Sequence, residues 1–357
     1  MKILHTSDIH LGSPMTAHLD PIRAATRRRE LEDCFARTVE YAVAEGVSGF
    51  IIAGDLFDSQ TVSRRTIEAA LATIAGASGI TFFYLPGNHE GDILSGYAGN
   101  LPDNLRIFGK DWTYFSLGGV TLAGRSSVCE GMLDTLTLGD GRRNIVVLHG
   151  ELRDRTAAPD VIGVLDARAR NIDYLALGHY HSYSAREIER GGYAVYCGAP
   201  AGRGFDEVGE CGFVMIEVGD KALSHRFVPL SGRAHRIISA DISGCESRGD
   251  IEKLCIGALS SISRDDLVRL VLTGTHSADL VRDTEGIRRK FAKEFFYFEA
   301  CDESTLKISA EDYKYDRSLR GEFVRSVMGD TSLDDAERTK ILECGLAALS
   351  GEATYDW

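Results

Sequence analysis

The 357-residue sequence contains eight cysteines but no Cys-x-x-Cys pair and no close cysteine spacing; the cysteines are at positions 34, 129, 197, 211, 245, 255, 301 and 344. This spacing argues against a thiolate zinc site and against a disulfide framework, and it favours a reducing compartment. The sequence also lacks any apolar run that approaches the roughly 18 residues of a transmembrane helix. Its N-terminus becomes polar too soon for a signal peptide. These absences predict a cytoplasmic protein without a membrane-spanning segment.

Positive charge is also scarce, because 53 acidic and 40 basic side chains give a net charge of −13. This balance argues against a nucleic-acid binder, since affinity for phosphates comes mainly from Lys and Arg. Residues 299–357 alone carry 14 acidic and 7 basic side chains, so more than half of the excess lies in that segment. The acidity therefore weakens a polyanion-binding hypothesis without excluding it.

The length predicts more than one folded unit. A chain of 357 residues exceeds the usual size of a single hydrophobic core, which favours a large domain plus a smaller one, or two comparable domains. An apolar fraction of 44% and a charged fraction of 26% are those of an ordinary globular protein. Apolar spacing predicts helices at residues 27–45, 63–75 and 277–293, a loop at 13–26 and a strand at 295–298.

Five apolar runs of the sequence end on polar residues that can bind metal ions. The run 50–53 leads into Gly54-Asp55-Leu56-Phe57-Asp58, which predicts a buried parallel strand followed by a loop at its carboxyl end. Ligands of open α/β sheets bind at that edge. The other four runs end at Asp8 and His10, at Asn88 and His89, at His149, and at His179 and His181. A lone Gly-Asp pair is an ordinary turn, so the recurrence is what predicts a metal centre.

The residue types at these strand ends suit a divalent cation. Asp8 with His10, and His179 with His181, are two residues apart and project to the same side of an extended backbone. The amide oxygen of Asn88 suits a hard ion that carboxylate and imidazole also hold. His89 directly follows Asn88 and points elsewhere, which makes it a candidate proton donor rather than a ligand.

These motifs, in this order, resemble the five motifs of the calcineurin-like metallophosphoesterases over about residues 1–215. The resemblance implies a four-layer α/β/β/α sandwich with a di-metal site. It assigns one ion to Asp8, His10, Asp55 and His181, and the other to Asp55, Asn88, His149 and His179. It also makes His89 the catalytic histidine, with Asp58 orienting a ligand or that histidine. Ligands without thiolate favour manganese, iron or zinc over copper, and manganese is the first expectation among the three.

A second resemblance narrows the branch. Residues 196–209 resemble the Gly-x-Pro, Arg-x-Phe and Glu-x-Gly segment of bacterial DNA repair exonucleases similar to SbcD and YhaO, in which Arg203 would bind substrate. This implies a di-metal nuclease domain at residues 1–230, a small α+β capping domain at 231–315 and a C-terminal helical tail at 316–357. It also implies a coiled-coil ATPase partner similar to SbcC or YhaN, and a homodimer. The chain itself has no phosphate-binding loop of the Gly-x-x-x-x-Gly-Lys-Ser/Thr type.

The sequence therefore predicts a manganese-dependent phosphodiesterase that acts on DNA ends in repair, as an exonuclease with some single-strand endonuclease activity. Two metals sharing a carboxylate would activate a hydroxide, and His89 would assist the leaving group. The alternative is the same chemistry on a small substrate, such as a cyclic nucleotide or a phosphomonoester. The negative charge favours that alternative, whereas the segment 196–209 and the expected capping domain oppose it. A structural subunit with a vestigial site is the third reading, and the complete ligand set argues against it.

Overall fold

The computed structural model describes residues 1–16, 18–155, 158, 160–189, 191–219, 222–308, 311 and 313–350. The chain forms two compact units, Met1–His235 and Arg236–Trp357. Within the described residues, no helix is both long enough and apolar enough to span a membrane. The roles of nuclease domain, cap and tail stay predictions.

The first unit is built from two long helices and fourteen strands among its described residues. In chain order these are β1 (Lys2–Thr6), α1 (Pro21–Ala44), β2 (Gly49–Ala53), α2 (Arg64–Gly76), β3 (Thr81–Leu85), β4 (Leu105–Ile107), β5 (Thr113–Leu117), β6 (Val120–Gly124), β7 (Arg143–His149), β8 (Glu151–Arg153), β9 (Val161–Gly163), β10 (Tyr174–Gly178), β11 (Ser184–Glu187), β12 (Tyr193–Tyr196), β13 (Gly212–Val218) and β14 (Leu223–Pro229). Two 3₁₀ helices, Ile93–Asn100 and Met132–Thr135, complete the set.

Two six-stranded sheets form the centre of this unit, with strand orders β14-β13-β1-β2-β3-β4 and β11-β12-β10-β7-β6-β5. Strands β1 to β4 run parallel, as do β6, β7, β10 and β12. Buried apolar residues of both sheets form one cluster between them, including Ile3, Ile51, Phe83, Val147 and Tyr174. The sheets therefore pack face to face.

The outer faces of both sheets are also covered. Leu31 of α1 and Ile74 of α2 pack against the first sheet in a second apolar cluster. A third cluster covers the second sheet with Met132 and Leu133 of a 3₁₀ helix and Ile162 of β9. The predicted four-layer sandwich is confirmed, and the layer over the second sheet consists of a short 3₁₀ helix, β9 and loops in the described residues.

Helix α1 begins six residues earlier than the apolar spacing predicts. The carboxylate of Asp20 accepts hydrogen bonds from the backbone N–H groups of Ile22 (2.9 Å) and Arg23 (3.0 Å), and Pro21 occupies the first turn. Both features are standard signals of a helix start. The prediction of a loop through residue 26 is therefore wrong, whereas α2 begins as predicted after its cap at Ser63.

His5 joins the two sheets through a buried hydrogen bond to Tyr174. Its Nδ1 lies 2.9 Å from the hydroxyl of Tyr174, and both side chains are fully buried. Burial lowers the pKa of His5 from 6.5 to about 3. The imidazole is therefore neutral in the folded protein.

We expect this buried histidine to make the fold sensitive to acid. Because its pKa is lower in the folded state than in the unfolded state, the unfolded chain binds more protons between pH 6.5 and about 3. The free energy of unfolding has its full value with respect to His5 above pH 6.5. It falls as the pH drops, by at most about 1.4 kcal/mol per pH unit. Denaturant titrations between pH 7 and 4.5 should show a shallower loss of unfolding free energy in His5→Gln than in the unmodified chain. The exposed-histidine variant His18→Gln is the control, and equal slopes in His5→Gln and the unmodified chain would refute the expectation.

The second unit has a smaller α+β core. Its elements are β15 (His235–Asp241), α3 (Arg248–Leu259), β16 (Leu267–Thr273), β17 (Thr275–His276), α4 (Thr284–Phe291), β18 (Tyr297–Asp302), β19 (Thr305–Leu306), α5 (Leu319–Gly329) and α6 (Asp335–Ser350). Strands β15, β16 and β18 form its three-stranded sheet.

Two predictions in this unit need correction. Helix α4 is shorter than the predicted 277–293, because Asp283 caps it by accepting a hydrogen bond from the N–H of Gly286 at 2.6 Å. The strand predicted at 295–298 begins only at Tyr297. Phe295 and Phe298 are buried in the apolar core of this unit, so they do not form an exposed stacking surface.

The described part of the C-terminal tail packs within its own unit. Val324 and Val327 of α5 form one apolar cluster with Leu342 and Leu346 of α6, and Ala278 packs against it. The end of the predicted tail, residues 351–357, lies outside the described residues.

Candidate metal centre

All of the metal-ligating positions predicted from the sequence lie at the carboxyl ends of parallel strands in the first unit. Asp8 and His10 follow β1, Asp55 follows β2, Asn88 follows β3, His149 ends β7, and His179 and His181 follow β10. Two sets of side chains come close enough to hold a cation, namely Asp8 with His10 and His181, and Asp8 with Asp55 and His149. Within each set the potential ligand atoms lie within 4.8 Å of one another.

The backbone is strained at several of these residues. Asp8, His10, Asp55 and His179 have φ angles of 52°, 52°, 51° and 107°. Residues other than glycine rarely adopt these left-handed backbone angles, and such strain is concentrated at functional sites. Four of the seven predicted ligands therefore occupy a backbone conformation that favours a functional explanation.

The neighbouring glycines allow the loops to approach the ligands closely. A Cβ atom on Gly87 would lie 2.1 Å from Oδ1 of Asp55, and one on Gly54 would lie 2.1 Å from Nδ1 of His149. Gly54 also has a φ of 91°. Both positions therefore require glycine for steric reasons.

Asp55 lies between histidines of the two predicted ligand sets. Its Oδ2 is 3.8 Å from Nε2 of His10 and 3.3 Å from Nε2 of His149. Its Oδ1 accepts a hydrogen bond from the backbone N–H of His89 at 3.1 Å. Burial alone would raise the pKa of Asp55, but the hydrogen bond and charge of His149 lower it to about 2. The side chain is therefore an ionised carboxylate held in a buried site.

His149 has one ring nitrogen fixed by the backbone and the other surrounded by oxygen atoms. Nδ1 donates to the carbonyl of Ala53 at 2.9 Å, while Nε2 lies 2.8 Å from Oδ1 of Asn88. Burial alone would lower the pKa of His149, but Asp55 and Asp8 raise it to about 9. An imidazole oriented by a carbonyl, with its second nitrogen among a carboxylate and an amide oxygen, is a typical donor set for a divalent cation.

His10 supplies the most direct test of whether a cation fits. The ring is fully buried, yet neither nitrogen makes a hydrogen bond of good geometry among the described residues. Nδ1 is 3.3 Å from Oδ1 of Asp58, and Nε2 faces Asp55. Buried polar atoms without partners are costly and rare. A cation bound by Nε2 would give this nitrogen the partner that it lacks. The residues present fit a metal ion.

Glu207 orients His181, a role that the sequence alone does not predict. Its Oε1 accepts from Nδ1 of His181 at 2.6 Å, which leaves Nε2 of His181 facing Asp8 at 3.7 Å. Burial alone would raise the pKa of Glu207, but His181 and Arg203 lower it to about 2. In the sequence, Glu207 is the glutamate of the Glu-x-Gly motif within residues 196–209, and that motif does not indicate its contact with His181.

Arg203, predicted to bind substrate, pairs with two carboxylates in the structure. Its guanidinium donates to Asp58 at 2.8 Å and to Glu207 at 3.2 Å. Through these bonds it connects the residue beside His10 with the residue that orients His181. Its contact with substrate stays a prediction.

His89 lies at the rim of the centre rather than in either ligand set. Its ring is exposed and stands edge-on to that of His10, with ring centroids 4.9 Å apart. Nδ1 lies 3.2 Å from the backbone carbonyl of Asp58. Asp58 thus lies beside one predicted ligand, His10, through its carboxylate and beside His89 through its backbone carbonyl, and its orienting role stays a prediction.

Glu90 ties the two loops of the centre together and is the second residue that sequence reasoning missed. Fully buried, it accepts hydrogen bonds from the backbone N–H groups of Leu56 (3.2 Å), Phe57 (2.5 Å) and Gly87 (3.0 Å). Burial raises its pKa to about 7. Its place directly after His89 is the available signal, but two of its three partners, Leu56 and Phe57, are 34 and 33 residues away in sequence.

We expect the neutralisation of Glu207 to weaken metal binding without removing a ligand. In Glu207→Gln an oxygen atom can still accept from His181, but the charge that strengthens this bond is lost. Groups that orient metal ligands typically account for about 10- to 100-fold in metal affinity. Competition with a chromogenic chelator should show a loss in that range. The exposed neighbour variant Glu210→Gln is the control, and equal affinities in the two variants would show that Glu207 has no orienting role.

Most of the first unit matches a known protein family in sequence. The sequence model of the family described as calcineurin-like phosphoesterase matches residues 1–183. A DNA double-strand break repair protein Mre11 of Haloferax volcanii is 25% identical over 98% of this chain and 75% of its own length. The metallophosphoesterase YhaO of Bacillus subtilis is 25% identical over 85% of this chain and 79% of its own.

The Mre11 protein of Sulfurisphaera tokodaii is 26% identical over 56% of this chain. That match covers 54% of the Sulfurisphaera tokodaii protein, so the chain spans about half the length of this relative.

Proposed function

Since the chain belongs to the calcineurin-like phosphoesterase family, we propose that it is a metal-dependent phosphodiesterase that hydrolyses DNA as an exonuclease in repair. The observation that carries the chemistry is the position of Asp55 between His10 and His149. The choice of DNA rests on relatives whose names describe DNA double-strand break repair proteins, one of which aligns with 98% of this chain.

In this proposal Asp8, His10, Asp55 and His181 hold one divalent ion, and Asp55, Asn88, His149 and His179 hold the other. Two such ions would lower the pKa of a water molecule and stabilise negative charge on the phosphoryl group. We propose manganese as the metal, because the set of imidazole, carboxylate and amide ligands without thiolate suits it.

The chain's own residues arrange the remaining chemistry. Asp58 holds one nitrogen of His89 through its backbone carbonyl, so the other nitrogen of this exposed ring is available to the substrate. We propose that His89 gives a proton or a hydrogen bond to the leaving oxygen of the cleaved ester. Arg203 and Glu207 keep His10 and His181 in place through the paired contacts described above.

The same chemistry on a small phosphoester is the second candidate. The observation that favours it is the negative net charge of the molecule. Two of the acidic residues, Asp206 and Glu207, line the cavity beside the metal centre. A polyanion approaches such a surface less readily than a small ester does. The ATPase partner, the homodimer and the cytoplasmic location stay predictions.

Digestion of end-labelled DNA tests the proposed function. Single- and double-stranded substrates are incubated with manganese beside a chromogenic diester and a chromogenic monoester. We expect progressive shortening of DNA that is absent in His89→Ala. Hydrolysis of the small diester while both DNA substrates stay intact would replace this proposal with the small-substrate alternative.

A further inference from the structure

A cavity of about 370 Å³ opens beside the metal centre, within the first unit. It is lined by His179, Tyr180, His181, Ser182, Ser184, Asp206 and Glu207. Two of these residues are predicted ligands, so a molecule in the cavity would lie next to the group that is cleaved. The other lining residues have no part in the chemistry proposed above, apart from Glu207.

Tyr180 presents a fixed aromatic surface to this cavity. Its hydroxyl donates to Oε1 of Glu151 at 2.9 Å, and its ring meets that of Tyr196 at 75° with centroids 4.9 Å apart. The ring also contacts His179, with centroids 5.5 Å apart. Despite these three contacts the side chain is 42% exposed. An exposed aromatic ring that is held in place loses little conformational entropy when a planar group stacks on it.

The charges around the cavity oppose a second phosphate. Asp206 and Glu207 contribute carboxylates, and the neighbouring cations are engaged, because His181 and Arg203 both pair with Glu207. The exposed hydroxyls of Ser182 and Ser184 and the carboxylate of Asp206 instead suit the hydroxyl groups of a sugar. The lining thus matches an uncharged group with one planar face.

We infer that this cavity binds the nucleoside attached to the scissile phosphate, with its base stacked on Tyr180. The inference rests on the proposed function, because it takes the reacting phosphoester at the neighbouring metal centre as given. It makes Tyr180 a specificity-determining residue that distinguishes nucleotide esters from simple alkyl esters. A stacked base tolerates any sequence, as an end-processing nuclease requires.

Calorimetric titration tests the inference without turnover. The ligands are thymidine 5′-monophosphate and methyl phosphate, each with manganese, and the proteins are the unmodified chain, Tyr180→Leu and Tyr180→Phe. Tyr180→Leu should weaken the nucleotide roughly tenfold or more, the usual effect of losing one base–aromatic stack, and leave methyl phosphate unchanged. Tyr180→Phe should retain nucleotide affinity because the ring remains.

The matched control is Tyr183→Leu. Tyr183 is similarly exposed at 38%, but its ring packs on Phe227 and does not line the cavity. Unchanged nucleotide affinity in Tyr180→Leu, an equal loss for both ligands, or no preference of the unmodified chain for the nucleotide would each overturn the inference. The titration measures binding and not cleavage, so its result is independent of the DNA digestion. If Tyr180→Leu selectively weakens nucleotide binding but the protein does not cleave DNA, the cavity would be assigned to a small nucleotide substrate.

Discussion

Asp55→Asn should bind neither metal ion stably and should lose phosphodiesterase activity by about 10³-fold or more, since metal ions supply several kcal/mol of transition-state stabilisation. The reason is the position of one oxygen atom, Oδ2, which faces His10 at 3.8 Å and His149 at 3.3 Å. Asparagine keeps the shape of the side chain but removes the negative charge that both cations would share. The effect should therefore extend to both ions, whereas the loss of a ligand that contacts one ion should affect that ion first.

Elemental analysis of metal content per chain measures this effect directly. Asp20→Asn is the matched control, because it makes the same change at an exposed helix cap where asparagine performs equally well. We expect two ions in the control and none in Asp55→Asn after dialysis. Two ions retained by Asp55→Asn would exclude the shared-carboxylate assignment.

His89→Ala should show the opposite pattern, with both metals retained and turnover reduced by about 10²- to 10⁴-fold, the usual contribution of a positioned acid or base. His89 belongs to neither ligand set, and among the described residues its exposed ring contacts the edge of His10 and the backbone of Asp58. Its removal therefore leaves the predicted ligands in place and takes away the donor to the leaving oxygen.

The nature of the leaving group sharpens this prediction. A nitrophenolate leaves without a proton, whereas the alkoxide of a DNA strand needs one. The loss in kcat should therefore be much larger for DNA than for a nitrophenyl diester. His18→Ala, a change at an exposed loop histidine, is the control. Equal losses on both substrates would remove His89 from proton transfer to the leaving group.

The sequence predicts the location of the centre because of a simple property of parallel sheets. Apolar runs identify the strands, and the carboxyl ends of neighbouring parallel strands lie at one edge, so Asp8, Asp55 and Asn88 must be close. His149 and His179 follow in the same way from the second sheet. Whether these two edges face each other depends on how the two sheets pack. The order of the motifs alone does not specify that packing.

The contacts that the sequence did not reveal join distant segments of the chain. Glu90 binds backbone groups, and a backbone N–H of Leu56 or Phe57 carries no signature in the side-chain pattern. Glu207 reaches His181 across 26 residues, and Arg203 reaches Asp58 across 145. In contrast, the early start of α1 was readable from Asp20-Pro21, because that signal is local.

The most direct test of the central claim is anomalous diffraction from crystals grown with manganese. We expect two peaks about 3.5 to 4 Å apart, with Asp55 contacting both. One peak should lie beside Asp8, His10 and His181, and the other beside Asn88, His149 and His179. A single peak, or two peaks of which only one contacts Asp55, would contradict it.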